Sequence, residues 1–385
     1  MRILIWDKGM PLKNSGGPSG YLWNIKQYLD LQKDEEIVFY SDHIKAGGGK
    51  NLWTSFLLGV CALLKKEHLA HLILNYFYKG ALTKKEKALL NGVDYVHFHT
   101  LSAACGYNEL VHKANVKTIL TVHSPEPLID EINSRGKVVM SPKKRDIYIT
   151  RETTIMDSVD YLMFPVKGAL ECYTLSSTVY SEFFKEKLEQ NRIFFVPTAL
   201  PDCDKLDIEN YLSDYKIPNN ATKICYVGRH NRIKGYEYLK QIASKVWEKA
   251  PDTYFIIGGK QEECAPVNDP RWIELGWVKT KSLLQEVDVF ILPNQQTYFD
   301  IIALEILRSG TPLITTLTGG NHYLSEINNG GITFIPHDDA EKAVTAIIDV
   351  IQKDINGKNA RALYEAYFTM NQYIKRYKEE VCHLH

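Results

Sequence analysis

The chain has 385 residues, with 46 Lys+Arg against 46 Asp+Glu, 45% hydrophobic content and 24% charged content. That length exceeds one ordinary core and suits two soluble domains, and zero net charge leaves no global field to gather nucleic acid. The seven Cys are scattered without metal-ligand spacing, which argues for free thiols in a reducing compartment and against a disulfide scaffold or zinc site. The N-terminal MRILIWD reads as a strand rather than a secretory leader, and no apolar run reaches the ~18 residues of a membrane span.

In chain order, Arg2 to Asp7 reads as a strand, followed by a loop holding Gly16 and Gly17 and a helix from about Ser19 to Leu31. A strand, a glycine-rich loop and a helix together predict a Rossmann-like half with a ligand at its first turn. The spacing is not Gly-x-Gly-x-x-Gly, and a loop that needs glycine only for its turn is the alternative. Glu36–Tyr40 is a second strand. Between His43 and Asn91 come two apolar helical stretches, Leu52–Leu64 and Leu69–Tyr78, with Lys65, Lys66, Lys79, Lys84, Lys85 and Lys87 nearby. They read as helices covering the sheet with solvated charges at their ends, or as an amphipathic patch meeting a membrane. Val93–His99 and Thr118–Val122 are strands. His123 follows the second, at a strand's carboxyl end beside a loop, where a histidine is placed either for chemistry or for structure. His97 and His99 share one strand face but do not read as a metal pair. Asn133–Tyr148 is polar, basic and turn-rich, and reads as a mobile loop carrying Lys143, Lys144 and Arg145. Tyr161–Pro165 and Phe194–Pro197 close the first half. Asp202-Cys203-Asp204 then reads as turn chemistry in a linker.

The second half restarts with a strand at Lys223–Val227 and the segment Gly228-Arg229-His230-Asn231-Arg232-Ile233-Lys234-Gly235, then a helix over Tyr236–Lys249. Two cations five residues apart, flanked by glycines between a strand and a helix, can grip a diphosphate, Arg bidentately and Lys as a point charge. Strands follow at Asp252–Gly259 and Trp272–Gly276. Next comes a βαβ unit, with strands Val289–Leu292 and Leu313–Thr316 around a helix from about Phe299 to Arg308. The loops Pro293–Tyr298 and Thr316–Asn321 lie at the carboxyl ends of these strands, where open parallel sheets collect ligands. The helix start points free N–H groups at that space. Glu305 is the lone acid of this helix, either solvated or placed to accept two adjacent hydroxyls. Gly331–Pro336 is the last strand, and His337-Asp338-Asp339 caps a helix over Ala340–Gln352. The remainder from Lys358 is helical and charged.

These motifs resemble the GT-B glycosyltransferases, in particular the large retaining family four (glycosyl transferases group 1). Gly228, Arg229, Lys234 and Gly235 match the family's Gly-Arg, four residues, Lys-Gly, and Phe299, Glu305, Gly310, Pro312, Gly319 and Gly320 match the later segment in register. Thr297 stands where the family's first Glu belongs, Asp300 where its Gly belongs, and Asn321-His322-Tyr323 where x-x-Glu is usual. The resemblance is strong from Lys223 to Pro336 and thin from His43 to Asn91.

The resemblance implies an α/β, GT-B fold: two Rossmann-like domains with parallel sheets facing across a cleft, and a C-terminal helix crossing back to the first domain. It places an acceptor-side domain at 1–200, a nucleotide-sugar domain at 201–365 and the returning helix at 366–385. It implies a glycosyltransferase that moves a sugar from a UDP- or GDP-sugar to a glycan, lipid-linked or protein-linked acceptor. Retention at the anomeric carbon and no metal or other cofactor follow from the same likeness. Arg229 and Lys234 would hold the diphosphate, Glu305 the ribose, and His123 would lie near the donor sugar. Gly16, Gly17, Gly228, Trp277, Val278, Thr297, Phe299, Asp300, Ile301, Ile302, Gly320 and Asn321 complete the expected donor site. Closure of the cleft would exclude water. A role in bacterial surface polysaccharide synthesis, in the cytoplasm or on the inner face of the membrane, accords with the family's breadth. The departures at 297 and 300 leave two alternatives: a nucleotide-sugar epimerase or hydrolase of the same fold, or a non-catalytic sugar-nucleotide-binding partner.

Overall fold

The computed structural model describes residues 1–13, 17–44, 52–136, 138–202, 209–352 and 357–384. The expected Gly16, Cys203 and Asp204 therefore lie outside the described residues. The chain divides into two units, one comprising 1–164, 170–196 and 377–385, the other 165–169 and 197–376.

The first unit is built on β1 (Ile3–Trp6), α1 (Gly17–Gln32), β2 (Ile37–Phe39), α2 (Leu52–Leu63), α3 (Glu67–Tyr76), β3 (Tyr95–Phe98), α4 (Leu101–His112), β4 (Lys117–Leu120), α5 (Leu128–Gly136), α6 (Pro142–Ser158), β5 (Tyr161–Phe164), α7 (Thr178–Glu189) and β6 (Ile193–Phe195). Its six strands are ordered β2-β1-β3-β4-β5-β6, with all neighbours parallel. Every residue of β1, β3 and β5 is buried, as expected of strands covered on both faces, whose sequences run apolar rather than alternating. The strand order reverses between β1 and β3, so the loops after those strands diverge and leave a crevice at their carboxyl ends.

The stretch expected as a mobile loop, Asn133–Tyr148, is mostly helix: it holds the end of α5 and the start of α6. Arg145 is fixed, its Nε and Nη2 donating to Asp130 at 2.7 and 2.6 Å. The stretch looked turn-rich because it holds Ser141-Pro142, but Ser141 is the N-cap and Pro142 the first residue of α6, where a missing N–H and a fixed φ suit a helix start. Glu152 is fully buried. It accepts from Tyr76 Oη at 3.1 Å and from the Leu128 N–H at 3.5 Å, tying α3 and the start of α5 to α6. Burial pushes its carboxyl up to about 7, against the lowering effect of the Tyr76 hydrogen bond. The two helices between His43 and Asn91 are present as α2 and α3, but α2 leaves an apolar face open, with Phe56 62%, Leu63 83% and Leu64 60% exposed.

The second unit contains β7 (Thr222–Val227), α8 (Tyr236–Lys249), β8 (Thr253–Gly258), β9 (Trp272–Gly276), β10 (Val289–Leu292), α9 (Ile301–Ser309), β11 (Leu313–Thr316), β12 (Ile332–Ile335), α10 (Ala340–Gln352), α11 (Lys358–Tyr367) and the start of α12 (Met370–Cys382). Its sheet order is β12-β11-β10-β7-β8-β9, again parallel throughout. One face carries a core of Leu239, Ile242 and Val246 from α8 and Val344 and Ile347 from α10, packed on Ile224, Phe255, Ile257, Ile291 and Ile314 of the strands. The order reverses between β7 and β10, which sets the loops after these two strands side by side.

Those two loops meet backbone to backbone. A Cβ on Gly235, whose φ is +70°, would sit 1.8 Å from the Pro293 carbonyl oxygen. Only glycine fits there, on both conformational and steric grounds. The Gln295 N–H donates to the Ile233 carbonyl at 2.9 Å across the same seam. From Tyr377 onward, α12 belongs to the first unit. There Tyr377 Oη bonds His97 Nδ1 at 2.8 Å, and Lys378 pairs with Asp34 and Glu36, both at 2.5 Å.

Gly235→Ala is expected to destabilise the protein by roughly 1–3 kcal/mol, read as a fall in the urea midpoint; an unchanged midpoint would mean the seam opens without cost. For Glu152, the unfolded chain releases its proton near the ordinary 4.5, while the folded chain keeps it up to about 7. Stability from this group therefore falls as pH rises through that window. Glu152→Gln should gain on the wild type by roughly 3 kcal/mol between about pH 4.5 and 7.5, checked by denaturation of both proteins at the two pH values.

Candidate functional site

The turn after β7 is shaped by side chains that sequence reasoning passed over. Asn231 Oδ1 accepts from the Lys234 N–H at 3.0 Å while its Nδ2 donates to Glu262 at 2.7 Å. The His230 ring stacks on Tyr236, centroids 4.3 Å apart. Tyr226 Oη donates to the Arg229 carbonyl at 2.8 Å. These contacts fix the backbone of the turn, hold Lys234 toward the neighbouring loop and leave Arg229 exposed.

Lys234 does not stand alone over this crevice, as the motif by itself implies. Its Nζ donates to both carboxylate oxygens of Asp300, at 2.7 and 2.6 Å. Asn294 Nδ2 donates to Asp300 Oδ2 at 2.8 Å. Burial pushes the Asp300 carboxyl up, but the Lys234 charge and the hydrogen bonds from Lys234 and Asn294 outweigh it and hold the group below the ordinary carboxylate range. Asp300 is thus an anion at neutral pH, directly preceding the N-terminus of α9. Asn294 is 1% exposed, and its Oδ1 meets no donor among the described residues.

Glu305 lies on the second turn of α9, half-buried. Burial raises its carboxyl, with Arg308 opposing only in part. A desolvated carboxylate of this kind gains from paired hydroxyl donors. Ile301 and Ile302, in the first turn of α9, are half-buried. Gly320 and Gly319 press on the loop after β10: a Cβ on Gly319 would lie 1.9 Å from the Thr297 carbonyl oxygen, and one on Gly320 2.2 Å from that of Tyr298.

Several of the expected donor-site residues have side chains packed into the fold. Thr297 is fully buried, and Phe299 is buried against Tyr323 and Phe368. The Asn321 side chain is buried, its amide donating to Thr315 Oγ1 and the Thr316 carbonyl at 3.0 and 2.9 Å. Val278 is buried over Gly258, whereas Trp277 is 79% exposed. Gly228 directly follows β7, its N–H donating to the Gly258 carbonyl at 3.0 Å.

In the first unit, the ends of β3 and β4 bring three histidines into one stack. His97 and His99 rings are 4.0 Å apart, and His99 Nδ1 meets His123 Nε2 at 3.0 Å. His97 is fully buried and bonded on both ring nitrogens, to Tyr377 and to Thr121. Burial lowers all three pKa values, that of His123 to about 4. The stack is therefore neutral at pH 7, and His123 offers hydrogen bonds rather than charge. Among the described residues no group of three or more His, Cys, Asp or Glu could hold a metal ion.

His123 opens into a cavity of about 390 Å³ that also presents His68, His71, His99, Ser124 and Glu131. Gly17 heads α1 in this unit, and its neighbour Pro18 lines the cavity. Ser124 Oγ donates to Glu131 at 3.1 Å, and His68 Nε2 meets Asn133 Oδ1 at 2.9 Å. The i, i+3 spacing of His68 and His71 on α3 was the available sequence signal for this wall.

Residues 221–353 match the profile described as glycosyl transferases group 1. An uncharacterized 41.2 kDa protein in the cps region of Klebsiella pneumoniae is 24% identical over 265 residues, 66% of this chain and 68% of that protein. A D-inositol 3-phosphate glycosyltransferase of Corynebacterium urealyticum is 31% identical over 132 residues, 29% of this chain and 31% of its own length. The crystal structure of Anabaena HepE in complex with UDP and glucose superposes over 100% of both chains with a TM-score of 0.61 at 13% identity. With two six-stranded parallel sheets of this topology and these matches, the chain is a glycosyltransferase of the GT-B fold.

Proposed function

We propose that the protein transfers a sugar from a nucleotide-sugar donor, of the UDP or GDP class, to a carbohydrate acceptor that is free, lipid-linked or protein-linked, with retention and without a divalent ion. The observation that carries this reading is the convergence, at the switch point of the second sheet, of the Lys234 turn, the N-terminus of α9 and the desolvated Glu305. Arg229, Lys234 and the N–H groups of Ile301 and Ile302 serve the diphosphate. Glu305 accepts the ribose hydroxyls. The UDP in the HepE complex is of the same class.

In the reaction the bond from the anomeric carbon to the diphosphate oxygen breaks, and a bond to the acceptor oxygen forms on the same face. The acceptor's proton passes to the leaving diphosphate, whose growing charge is met by fixed cations and helix N–H groups. Each such fixed donor supplies on the order of 3 kcal/mol in comparable sites. The acceptor belongs in the first unit's cavity, where carboxylate, hydroxyl and neutral imidazole groups suit a hydroxyl-rich ligand. A role in building a surface polysaccharide accords with the cps-region relative. For a lipid-linked acceptor, the open apolar face of α2 with Lys65 and Lys66 at its end offers contact with an anionic membrane surface.

A panel of UDP- and GDP-sugars should include one that stabilises the wild type by roughly 2.7 kcal/mol at about 100 times its Kd, an effect Lys234→Ala loses. Glu305→Gln should weaken the same nucleotide sugar by roughly 1.5–3 kcal/mol. With acceptor present, NMR of the product should show the donor's anomeric configuration. An inverted product would remove the same-face mechanism, and complete turnover of donor without acceptor would replace transfer by hydrolysis or epimerisation.

A further inference from the structure

The second unit's anion seat already contains an anion of the protein's own. Lys234 is held by both oxygens of Asp300, Asp300 also takes the Asn294 amide, and the side chains of the pair are only 17% and 14% exposed. A diphosphate approaching this turn would meet a cation that is already neutralised, beside a carboxylate that repels it. Buried Asn294 Oδ1 adds an unmatched acceptor to the same cluster. Two unsatisfied or exchangeable acceptors next to the start of α9 are suited to hydroxyl donors, not to a second anion.

We propose that Asp300 is a specificity-determining residue that exchanges partners: Lys234 moves from the Asp300 carboxylate to the phosphate of the donor, and the released carboxylate, with Asn294 Oδ1, accepts hydroxyl groups of the donor sugar. The inference rests on the reading of this site as a nucleotide-sugar site. It gives the site a filter, since a bare nucleoside diphosphate breaks the pair without offering Asp300 a new partner, whereas an intact nucleotide sugar supplies hydroxyls in exchange. It also gives Thr297 a reason to be a buried neutral residue, because the carboxylate facing the sugar is supplied three positions later.

The apparent affinity of a ligand falls in proportion to the fraction of protein in the competent state. If Lys234 is free of Asp300 in about a tenth of molecules, removing the carboxylate should tighten a bare nucleoside diphosphate roughly tenfold. The test is calorimetric titration of UDP and GDP, and of the UDP- or GDP-sugar that the wild type binds, into wild type, Asp300→Gly and Asp300→Asn, with folding checked by circular dichroism. The expected result is a gain of roughly tenfold for the diphosphate on both variants, with a smaller gain or a loss for the nucleotide sugar, so that the preference for the sugar-bearing ligand falls. The two variants guard against a folding defect peculiar to glycine at this position.

Equal diphosphate affinities in all three proteins would overturn the exchange while leaving the donor site standing. Failure of wild type and variants alike to bind any nucleotide would overturn the donor site and the exchange together. A second arm compares Lys234→Ala with the Lys234→Ala/Asp300→Asn double variant. Competition for Lys234 predicts that the Asp300→Asn gain shrinks in this background, and an undiminished gain would reduce Asp300 to a source of general repulsion.

Discussion

The second unit depends on one close approach of backbone to backbone. Where Gly235 lies on the Pro293 carbonyl, no side chain separates the turn after β7 from the loop after β10. That contact is available only because β7 and β10 are neighbours at the point where the strand order reverses. It brings Lys234 within reach of a residue 66 positions later, and it sets the start of α9 beside the turn. The Gly319–Thr297 approach repeats the device on the far side of the same loop. The loop after β10 is thus clamped between two glycine contacts. Its functional groups are positioned by main chain, which holds a site more tightly than mobile side chains can.

The first unit solves a different electrostatic problem. Its cavity wall rests on helices pinned by Glu152, and its floor on the stacked histidines at the ends of β3 and β4. Burial pushes the Glu152 carboxyl up and the imidazoles down, so both kinds of group move toward their neutral forms. Their effects on stability run in opposite directions with pH. The histidines bind protons in the unfolded chain before the folded one, so their contribution is lost on acidification below the ordinary imidazole value, while that of Glu152 is lost on the alkaline side. The result is that His99 and His123 face the cavity as neutral imidazoles that offer hydrogen bonds, beside the acidic side chains of Glu67 and Glu131.

Much of the second unit was legible because its elements obey local rules. The helix at Tyr236–Lys249 and the strand at Trp272–Gly276 fall at the residues expected, as does the helix at Ala340–Gln352, where Asp339 Oδ1 accepts from the Lys342 N–H at 3.1 Å. Apolar strands buried on both faces and glycines at turns announce themselves in sequence. The first unit was harder where a helix begins in polar, turn-rich sequence. Ser141-Pro142 fell inside the stretch expected as loop, although Pro142 opens α6. The individual cation at 234 was legible from its spacing. Its pairing with Asp300 was not, since no local pattern reports which strands become neighbours. The cavity's His68 and His71 were missed for the same reason: helix packing, not sequence proximity, brings α3 to the ends of β3 and β4.

The Lys234–Asp300 pair is costly as a device for stability alone. Removing two charges from water carries a desolvation penalty that their attraction only partly offsets, and an apolar pair of similar volume often serves a fold as well or better. The surroundings here are not arranged to complete the pair either. Asn294 gives Asp300 one hydrogen bond but keeps an unmatched carbonyl beside it, and Thr297 fills its place as a small buried residue. A pair kept for stability would be expected to satisfy its neighbours fully. A pair at the carboxyl ends of two strands, at a switch point and beside an unmatched acceptor, has the character of a site in its resting arrangement. The charge at Asp300 is then explained by what it exchanges, since the fold itself, held by the glycine seams and the apolar sheet, does not require it.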